Sequence, residues 1–390
     1  MDTADAVVIG GGIIGLSIAY HLAEKGVNRV MVVERRQMLG SGTTSKSGGG
    51  LRKQFSLPVN IRLVMYSQDF YARLDDAFEH SLDLRRHGYL LLATCEAHRT
   101  IMLRNIETQR EQGVTDVVYV ERDDIRLIAP DLRIEDIVGA AYCPSDGYLS
   151  PDGAVNAIAK QSRMLGVSFL TGEEVLRIGT ERDEVSEVST NMRTIGTRII
   201  VNATGPHAGE IARMVGVDLP IQPLRRNLFL LGPVARPAVR YPVVLDLQGG
   251  FSARHEPEGI LIGGGDRNEP PHLHFSAEPD MDYFARICPQ LIKRIPTLEA
   301  AGLLRASAGT DGYTPDGNAI VGAVDSVPGF YVAGGFCGHG VMQAPAVGKA
   351  LSELIIDGYA STDIAGLSLS RFNSPSGLRF EGMVMAHHDD

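Results

Sequence analysis

Three glycines and one acid have the clearest chemical pattern in the chain. Gly10, Gly12 and Gly15 lie in VVIGGGIIGLSIAYHLAEKG, between a short apolar run and a run with helical spacing. In this G-x-G-x-x-G spacing the glycines permit a tight turn, the close approach of a pyrophosphate, and packing of the helix on the strand. A second apolar run, residues 29–33, ends in Glu34, where an acid can bind ribose hydroxyls. The pattern predicts a dinucleotide site. The Glu34 carboxylate disfavours NADP because it would repel a 2′-phosphate.

Two further stretches separate FAD from NAD. The segment GSGTTSKSGGGLRKQF, residues 40–55, is rich in hydroxyls and glycines, which suits an extended ligand, although a flexible surface loop has a similar composition. The segment GGFCGHGVMQAPAVGKAL, residues 334–351, is a second glycine turn that opens a helix. The positive end of that helix would stabilise a negatively charged reduced flavin. One helix N-terminus for the pyrophosphate and a second for the flavin ring favour FAD over NAD as the cofactor.

Two arginines are candidates for binding the carboxylate of a substrate. Arg52 follows the glycines that would cover a ring system, and Arg254 lies between two short strand candidates. A guanidinium binds a carboxylate through two parallel hydrogen bonds, although either arginine could instead form a structural ion pair or lie in solvent. We expect His339 to form hydrogen bonds and Cys337 to pack.

The predicted chemistry is oxidation of an amine next to a carboxylate. Such a reaction needs correct placement rather than a side-chain base, since the amine lone pair can drive hydride transfer from Cα.

Three units of strand, turn and helix are predicted to position these residues. Their strands are expected at residues 6–9, 198–203 and 330–333, and their helices at residues 16–25, 208–215 and 344–357. Short apolar strands followed by amphipathic helices predict an α/β fold with a doubly wound parallel sheet. Elsewhere, strand candidates at 227–231, 243–247 and 260–263 predict an antiparallel sheet, and helices are expected at 57–86 and 97–112.

These elements predict two interleaved domains and a terminal tail. The FAD-binding domain is expected to be discontinuous, from residues 1–85, 146–218 and 308–372. The substrate domain would comprise residues 86–145 and 219–307. Residues 373–390 are polar, lack periodicity and are expected to fray.

Composition narrows the class of protein. A hydrophobic fraction of 44% supports a large core, and a formal charge of -10 argues against nucleic-acid binding despite the pair Arg225 and Arg226. No apolar run has the length of a transmembrane helix, and no signal peptide is recognisable. Four widely spaced cysteines without a C-x-x-C pair predict free thiols, no metal site and a cytoplasmic location.

At these residues the chain resembles the D-amino-acid-oxidase-like flavoproteins, in the branch of glycine oxidase and sarcosine oxidase. The resemblance rests on the first glycine turn with Glu34, on SGTTSKSGGGLRKQF, on VNATGPHAGEIARMVG followed by PIQPLRRNLFL, and on TPDGNAIVG with GFYVAGGFCGHGVMQAPAVGKAL. These motifs occur in family order over nearly the whole chain. The family implies an FAD domain beside an antiparallel substrate domain, and oxidation of a carbon–nitrogen bond.

The resemblance also implies which residues surround FAD. Positions expected to contact the pyrophosphate, the adenosine or the flavin are Gly10, Gly12, Ile13, Ile14, Gly15, Glu34, Arg35, Thr43, Thr44, Ser45, Gly48, Gly49, Leu51, Val175, Ala203, Gly205, Gly338, His339, Gly340, Val341 and Met342.

The chain departs from the family at four positions. Gly309 aligns with the cysteine that carries covalent FAD in monomeric sarcosine oxidases, so non-covalent FAD is expected. Met342 and Leu261 align with two lysines, one for substrate carboxylate and one for oxygen, and Asp311 aligns with the carboxylate-binding arginine of glycine oxidase. The chain therefore departs from the family at the carboxylate clamp and at the oxygen step. Compared with sarcosine oxidase, Phe251, Met342 and Leu261 are expected to make the pocket more apolar, which favours an N-substituent or a longer side chain.

The resulting hypothesis is FAD-dependent oxidation of a glycine-like or N-substituted glycine substrate, with O2 as acceptor. The imine would hydrolyse and peroxide would form. Alternatives are a dehydrogenase that passes electrons to a quinone or a partner subunit, an electron-transfer subunit without a substrate, and an NAD dehydrogenase. A homo-oligomer is compatible with each.

Overall fold

The structure is a computed structural model that describes residues 2–79, 81–234, 241–266, 268–269 and 275–381. One sheet in this part has the order β19-β20-β13-β2-β3-β9. All neighbouring strands in it are parallel except β19 and β20. Its strands are β2 (Ala6–Ile9), β3 (Val30–Glu34), β9 (Ser168–Thr171), β13 (Ile200–Asn202), β19 (Ile320–Ala323) and β20 (Phe330–Gly334).

A second, largely antiparallel sheet has the order β18-β14-β17-β16-β15-β5-β7-β6. Only the β15–β5 pair is parallel among the described strand pairs of this sheet. Its strands are β5 (Tyr89–Ala93), β6 (Val118–Glu121), β7 (Gly139–Cys143), β14 (Gln222–Gly232), β15 (Val243–Asp246), β16 (Phe251–Glu256), β17 (Gly259–Gly264) and β18 (Gly302–Tyr313).

Two smaller sheets complete the strands of the described chain. They are β1 (Asp2–Thr3) with β10 (Val175–Glu181), β11 (Glu184–Thr190) and β12 (Thr194–Gly196), and the pair β4 (Gly50–Leu51) with β8 (Gly147–Tyr148). The helices are α1 (Ile13–Glu24), α2 (Pro58–Ala77), α3 (Glu96–Glu111), α4 (Arg122–Ile128), α5 (Pro151–Met164), α6 (Ala208–Arg213), α7 (Met281–Arg294) and α8 (Gly340–Asp357).

The three predicted units of strand, turn and helix are present, as β2–α1, β13–α6 and β20–α8. Their strands are adjacent and parallel, so the turns open at the same edge of the sheet. The predicted α/β class is therefore confirmed. The predicted helix at 57–86 is too long, because α2 ends at Ala77 and the backbone then turns to bridge Arg85 with Tyr148.

The close packing of the first turn depends on glycine. A Cβ at Gly15 would lie 1.9 Å from the carbonyl oxygen of Gly10, so a side chain there would force α1 away from β2. Gly10 has a φ of +108°, and a Cβ there would lie 2.5 Å from the carbonyl oxygen of Ala203. The turn and the neighbouring strand β13 are therefore held at backbone contact distance.

Buried side chains form a core on each face of the antiparallel sheet. On one face, Leu90, Phe229 and Ile262 pack with α7 residues such as Leu291. On the other face, Tyr89 and further residues pack with α1, α2, α5 and α8, which also cover the parallel sheet. This second core joins the two sheets. We call the side of the antiparallel sheet that carries Tyr89, Arg254 and Leu261 its cleft face. We retain the proposed domain division, although β18 runs across its boundary at residue 308.

The chain beyond residue 373 differs from the predicted fraying tail as far as Glu381. Residues 369–373 and 375–377 form short 3-10 turns. The side chain of Glu381 is fully buried, and its carboxylate accepts hydrogen bonds from the backbone N–H groups of Ser56 (2.7 Å) and Leu57 (3.3 Å). The sequence does not reveal this packing, because the partners of Glu381 lie 325 and 324 positions away in the chain. Residues 382–390 lie outside the described residues.

Candidate functional site

The first glycine turn is braced by Glu34 and Thr44. The backbone N–H of Gly11 donates to Oε2 of Glu34 (2.8 Å), which lies at the end of β3. The N–H of Ile13, in the first turn of α1, donates to Oγ1 of Thr44 (3.1 Å). A Cβ on Gly12 would meet only Oγ1 of Thr44, at 3.4 Å. The turn therefore leaves an open surface at a helix N-terminus, as a pyrophosphate requires.

The hydroxyl-rich segment crosses from the parallel sheet to the antiparallel sheet. The Thr43 hydroxyl donates to the carbonyl of Thr310 on β18, and Gly309 faces the Cβ of Lys46. Gly49 has a φ of +69°, and a Cβ there would lie 2.0 Å from the carbonyl oxygen of Leu149. A Cβ at Gly48 would meet nothing within 4 Å, so this part of the segment faces open space. The segment is therefore an ordered bridge between the sheets, and the alternative of a flexible surface loop does not apply.

The start of α8 is held by α2. Pro345 lies inside α8 and has no N–H to donate to the carbonyl of Val341. The hydroxyl of Tyr71, on α2, donates to that carbonyl instead (2.8 Å). Tyr71 is fully buried, so the acceptor is satisfied without water. This bond fixes the turn that carries Gly338 and His339.

Arg52 and Phe55, at the end of the hydroxyl-rich segment, form a cluster with His339 at the start of α8. Arg52 and Phe55 are buried, and His339 is half-buried. The Arg52 guanidinium lies 4.4 Å from the centroid of the Phe55 ring, and its Nη2 lies 3.2 Å from Nε2 of His339. Its Nη1 donates to the carbonyl of Gln54. Burial, then the charges of Arg52 and Arg226, hold the pKa of His339 well below its usual range. His339 is therefore neutral near pH 7, and its Nε2 accepts from the Arg52 guanidinium.

Arg254 lies on the same side of the protein but is already paired with an acid. Its Nε donates to Oε1 of Glu256 (2.7 Å), and its guanidinium lies 4.0 Å from the centroid of the Tyr148 ring. It also donates to the carbonyl of Gly48. Arg254 therefore links the substrate sheet to the open glycines of the hydroxyl-rich segment. Because its charge is balanced by Glu256, it is a weaker candidate than Arg52 for a substrate carboxylate.

Phe251 does not line the same face as Arg254, contrary to its predicted place in the pocket. Residues alternate along a strand, so Phe251 and Ala253 point away from the cleft and pack in the core with α7. Leu261 is directly opposite Arg254 in the sheet and shares its face. The alternation was visible in the sequence, but which of its two faces meets the cleft is decided by packing.

Met342 and Tyr89 border the strand that carries Gly50. A Cβ on Gly50 would lie 2.2 Å from the Tyr89 hydroxyl and 3.9 Å from Cε of Met342. Burial raises the pKa of Tyr89, while Arg52 and Arg254 oppose that rise. Tyr89 therefore remains a neutral hydroxyl close to both arginines. Sequence reasoning missed Tyr89, because it is one aromatic residue in an apolar strand.

The predicted adenosine contacts lie beyond the end of β3. Arg35 is within 2.6 Å of Nε2 of His207, whose ring stacks on Phe275 at 4.7 Å. Val175 begins β10, close in sequence to Glu173, whose N–H donates to the Glu34 carbonyl (3.1 Å). His207 lies within the VNATGPHAGEIARMVG motif but was not predicted as a contact, and no local motif marks Phe275.

The remaining predicted cofactor positions cluster around the three turns. Ala203 and Gly205 follow β13, next to Gly10. Ile14, Leu51 and Val341 are buried beside the turns, and Ser45 is partly buried in the hydroxyl-rich segment. Gly338 and Gly340 flank His339, and Gly338 has a φ of +88°.

The arrangement fits FAD. It has open glycine backbone at Gly12 and Gly48, an acid at the end of β3, and two helix N-termini at one edge of the parallel sheet. No group of three acids, histidines or cysteines that could hold a metal ion occurs in the part of the chain that the structure describes. Within the same ranges, no helix has the length and apolarity needed to cross a bilayer.

Comparison with known proteins decides the family. Residues 5–354 match the DAO family, described as FAD dependent oxidoreductase. The chain belongs to this family. The resemblance expected from the four motifs, the flavoenzyme class and the FAD cofactor are thereby confirmed, and the chain is an FAD-dependent oxidoreductase of the amino-acid and amine class.

The proteins that are similar to this DAO-family chain carry several different names. It is 31% identical to FAD-dependent oxidoreductase domain-containing protein 1 of Bos taurus, over 95% of the chain and 85% of the relative. It is 28% identical to the mitochondrial dimethylglycine dehydrogenase of Rattus norvegicus, over 95% of the chain but only 45% of that longer relative. The structure of L-proline dehydrogenase from P. horikoshii superposes with a TM-score of 0.90 and 31% identity, covering 97% of the chain and 100% of that protein.

Proposed function

We propose that this DAO-family protein oxidises the carbon–nitrogen bond of an N-substituted glycine or a similar amino acid. The observation that carries the proposal is the buried guanidinium of Arg52, placed between the open glycines of the hydroxyl-rich segment and His339 at the start of α8. A cation at this place suits a substrate carboxylate beside the flavin. The names of the dimethylglycine and proline dehydrogenases support a secondary or tertiary amine.

The protein residues have binding and electrostatic roles in this proposal. When bound, FAD would supply the two-electron acceptor for the hydride from the substrate Cα. Arg52 would orient the carboxylate, and the apolar side chains of Met342 and Leu261 would exclude water from the amine. The N-terminus of α8 would stabilise negative charge next to it. The neutral His339 would hold Arg52 rather than transfer a proton as a cation.

The electron acceptor is the second part of the proposal. Leu261 lies on the cleft face where the family comparison expects a lysine that assists oxygen. An apolar side chain there provides no positive charge for reduced oxygen species, which favours an acceptor other than O2, such as a quinone or a partner subunit. The alternative is an oxidase that reduces O2 to peroxide. The hypothesis also includes a cytoplasmic location and a homo-oligomer or a partner subunit.

The test is anaerobic titration of the purified yellow protein with glycine, sarcosine, dimethylglycine, proline and D-alanine. Bleaching of the flavin by an N-substituted amino acid is expected, and preferential bleaching by glycine or D-alanine would contradict the substrate class. Air is then admitted. Slow reoxidation that is accelerated by a quinone is expected, whereas rapid reoxidation with peroxide would identify an oxidase. A flavin that no amine bleaches would favour an electron-transfer subunit.

A further inference from the structure

Arg226 is a cation of the cleft that the activity proposed above does not use. It lies on β14 directly opposite Gly309 of β18. Strand alternation places it on the same face as Leu228 and Leu230, and Leu230 is opposite Leu261. This is the cleft face of the sheet, which also carries Arg254 through its pairing with Leu261.

The neighbouring arginine has the opposite orientation. Arg225 is buried and forms ion pairs with Glu269 and, at 3.3 Å, with Asp280. It also donates to the carbonyl of Glu278 (2.8 Å). These ion pairs explain why the Arg225 charge can be buried, and Arg226 takes no part in them.

The Arg226 side chain lies beside two glycines, Gly265 and Gly309. A Cβ on Gly265 would lie 3.3 Å from Cδ and 3.3 Å from Nη1 of Arg226, so the guanidinium stem lies across this glycine. Gly309, the partner across the strand, has no side chain of its own, and the Cβ of Lys46 lies above it. Arg226 is partly buried, and no ion pair links it to an acid within the ranges that the structure describes. Its charge therefore lacks a direct ion pair among the described residues, and the carboxylate of Asp311 acts on it from a longer distance.

The charged groups near Arg226 include one acid, Asp311, and a second cation, Arg52. Asp311 is two residues along β18 from Gly309 and is the diagonal neighbour of Arg226. Its carboxylate accepts a hydrogen bond from the N–H of Gly312 (2.9 Å). Burial raises the pKa of Asp311, while that hydrogen bond and the charge of Arg226 oppose the rise. Arg226 also contributes with Arg52 to the lowered pKa of His339, which places both cations around the start of α8. Two guanidiniums that face this turn exceed what one substrate carboxylate requires.

We propose that Arg226 binds a second carboxylate of the substrate, so that the preferred substrate is an N-substituted dicarboxylic amino acid. A single planar guanidinium with free N–H groups matches one carboxylate in a bidentate geometry. Arg52 would bind the carboxylate next to the reacting carbon, and Arg226 the distal one. This inference rests on the proposed amine oxidation at the same site.

The test uses substrates that match in size and differ in one charge. N-methylglutamate and N-methylglutamine are compared by kcat/KM, and N-methylglutamate is expected to be preferred by tenfold or more, in the range of roughly one charge-assisted hydrogen bond. In the Arg226→Gln variant this ratio should fall to near one, and Arg226→Lys should recover part of it. Arg305→Gln, a change on an exposed residue of β18, should keep the wild-type ratio.

A binding measurement keeps this inference separate from the proposed reaction. Glutarate and its monoamide, glutaramate, are titrated into the oxidised protein and followed by the flavin absorbance. Tighter binding of glutarate than of glutaramate, lost in Arg226→Gln, would support the role of Arg226. If no amine bleaches the flavin, the proposed amine oxidation is overturned, but this binding result still stands. Equal wild-type affinities or rates for the matched pairs, no binding of either acid, or an unchanged ratio in Arg226→Gln would overturn the role of Arg226.

Discussion

At the scale of single residues, the site is defined by how charges are balanced. Arg254 is neutralised by Glu256, whereas Arg52 is held by a carbonyl, an aromatic ring and the neutral His339. Both arginines follow equally suggestive sequence patterns, so the sequence could nominate them but could not rank them. The structure ranks them because an existing ion pair removes most of the gain from binding a second anion.

Arg52→Ala is expected to raise the KM for carboxylate substrates by about tenfold to a hundredfold, because a charge-assisted hydrogen bond contributes roughly 1.5–3 kcal/mol. The visible spectrum of the bound flavin should change little. Steady-state kinetics over a series of substrate concentrations measures the effect. Arg62→Ala, on the exposed face of α2, is the matched control. Kinetics that match the control would remove Arg52 from the clamp.

At the scale of elements, two buried contacts join α2 to distant parts of the chain. Tyr71 satisfies the Val341 carbonyl that Pro345 leaves without a donor, and Glu381 holds the backbone just before α2. These contacts connect residues 270 and 325 positions apart in sequence. Helical spacing predicted α2 and α8, but neither contact follows from a local pattern.

Tyr71→Phe should lower the free energy of unfolding by about 1–3 kcal/mol, because it leaves a buried carbonyl without a donor. In a Pro345→Ala background, the restored N–H can donate to the same carbonyl, so the cost of Tyr71→Phe should become smaller. Urea denaturation of the four proteins in this double-mutant cycle measures the difference. Equal costs in both backgrounds would show that Tyr71 acts only through packing.

Glu381→Gln should also destabilise the protein, by about 1–2 kcal/mol, because a buried carboxylate at the N-terminal end of α2 loses its charge. The Asn60 side chain, which donates to Glu381 at 3.1 Å, would lose part of the same interaction. Thermal denaturation should show a lower Tm than for Glu258→Gln, a change on an exposed turn residue. A Tm equal to that of the control would place Glu381 outside the stabilising contacts of the fold.

At the scale of the whole molecule, burial of neutral histidines makes stability depend on pH. Burial lowers the pKa of both His21 and His339. The unfolded chain therefore binds more protons below about pH 6.5, and the free energy of unfolding should fall as the pH drops below this value. Above it the full contribution is present. Burial raises the pKa of Asp146 and Asp311, and this acts in the opposite sense, at pH values above the ordinary pKa of aspartate.

His21→Gln tests this dependence away from the cleft. The residue lies in α1, and its Nδ1 donates to the carbonyl of Ser17 (2.8 Å). Free energies of unfolding between pH 5.5 and 7.5, in constant excess FAD, should fall less steeply in the variant, by up to about 1.4 kcal/mol per pH unit. Parallel curves for the variant and the wild type would mean that His21 does not contribute.

The sequence by itself determined the cofactor half of this protein. The glycines, Glu34 and the strand–turn–helix order are short-range features, because a tight turn and a helix N-terminus are built from neighbouring residues. Only the tertiary structure decided which face of each antiparallel strand meets the cleft, which separated Arg226 and Leu261 from Arg225 and Phe251. It also decided that the chain as far as Glu381 is packed. Both outcomes depend on contacts between residues far apart in sequence. Local patterns leave two orientations of a strand equivalent, and hydrophobic burial and charge pairing in the folded protein select one of them.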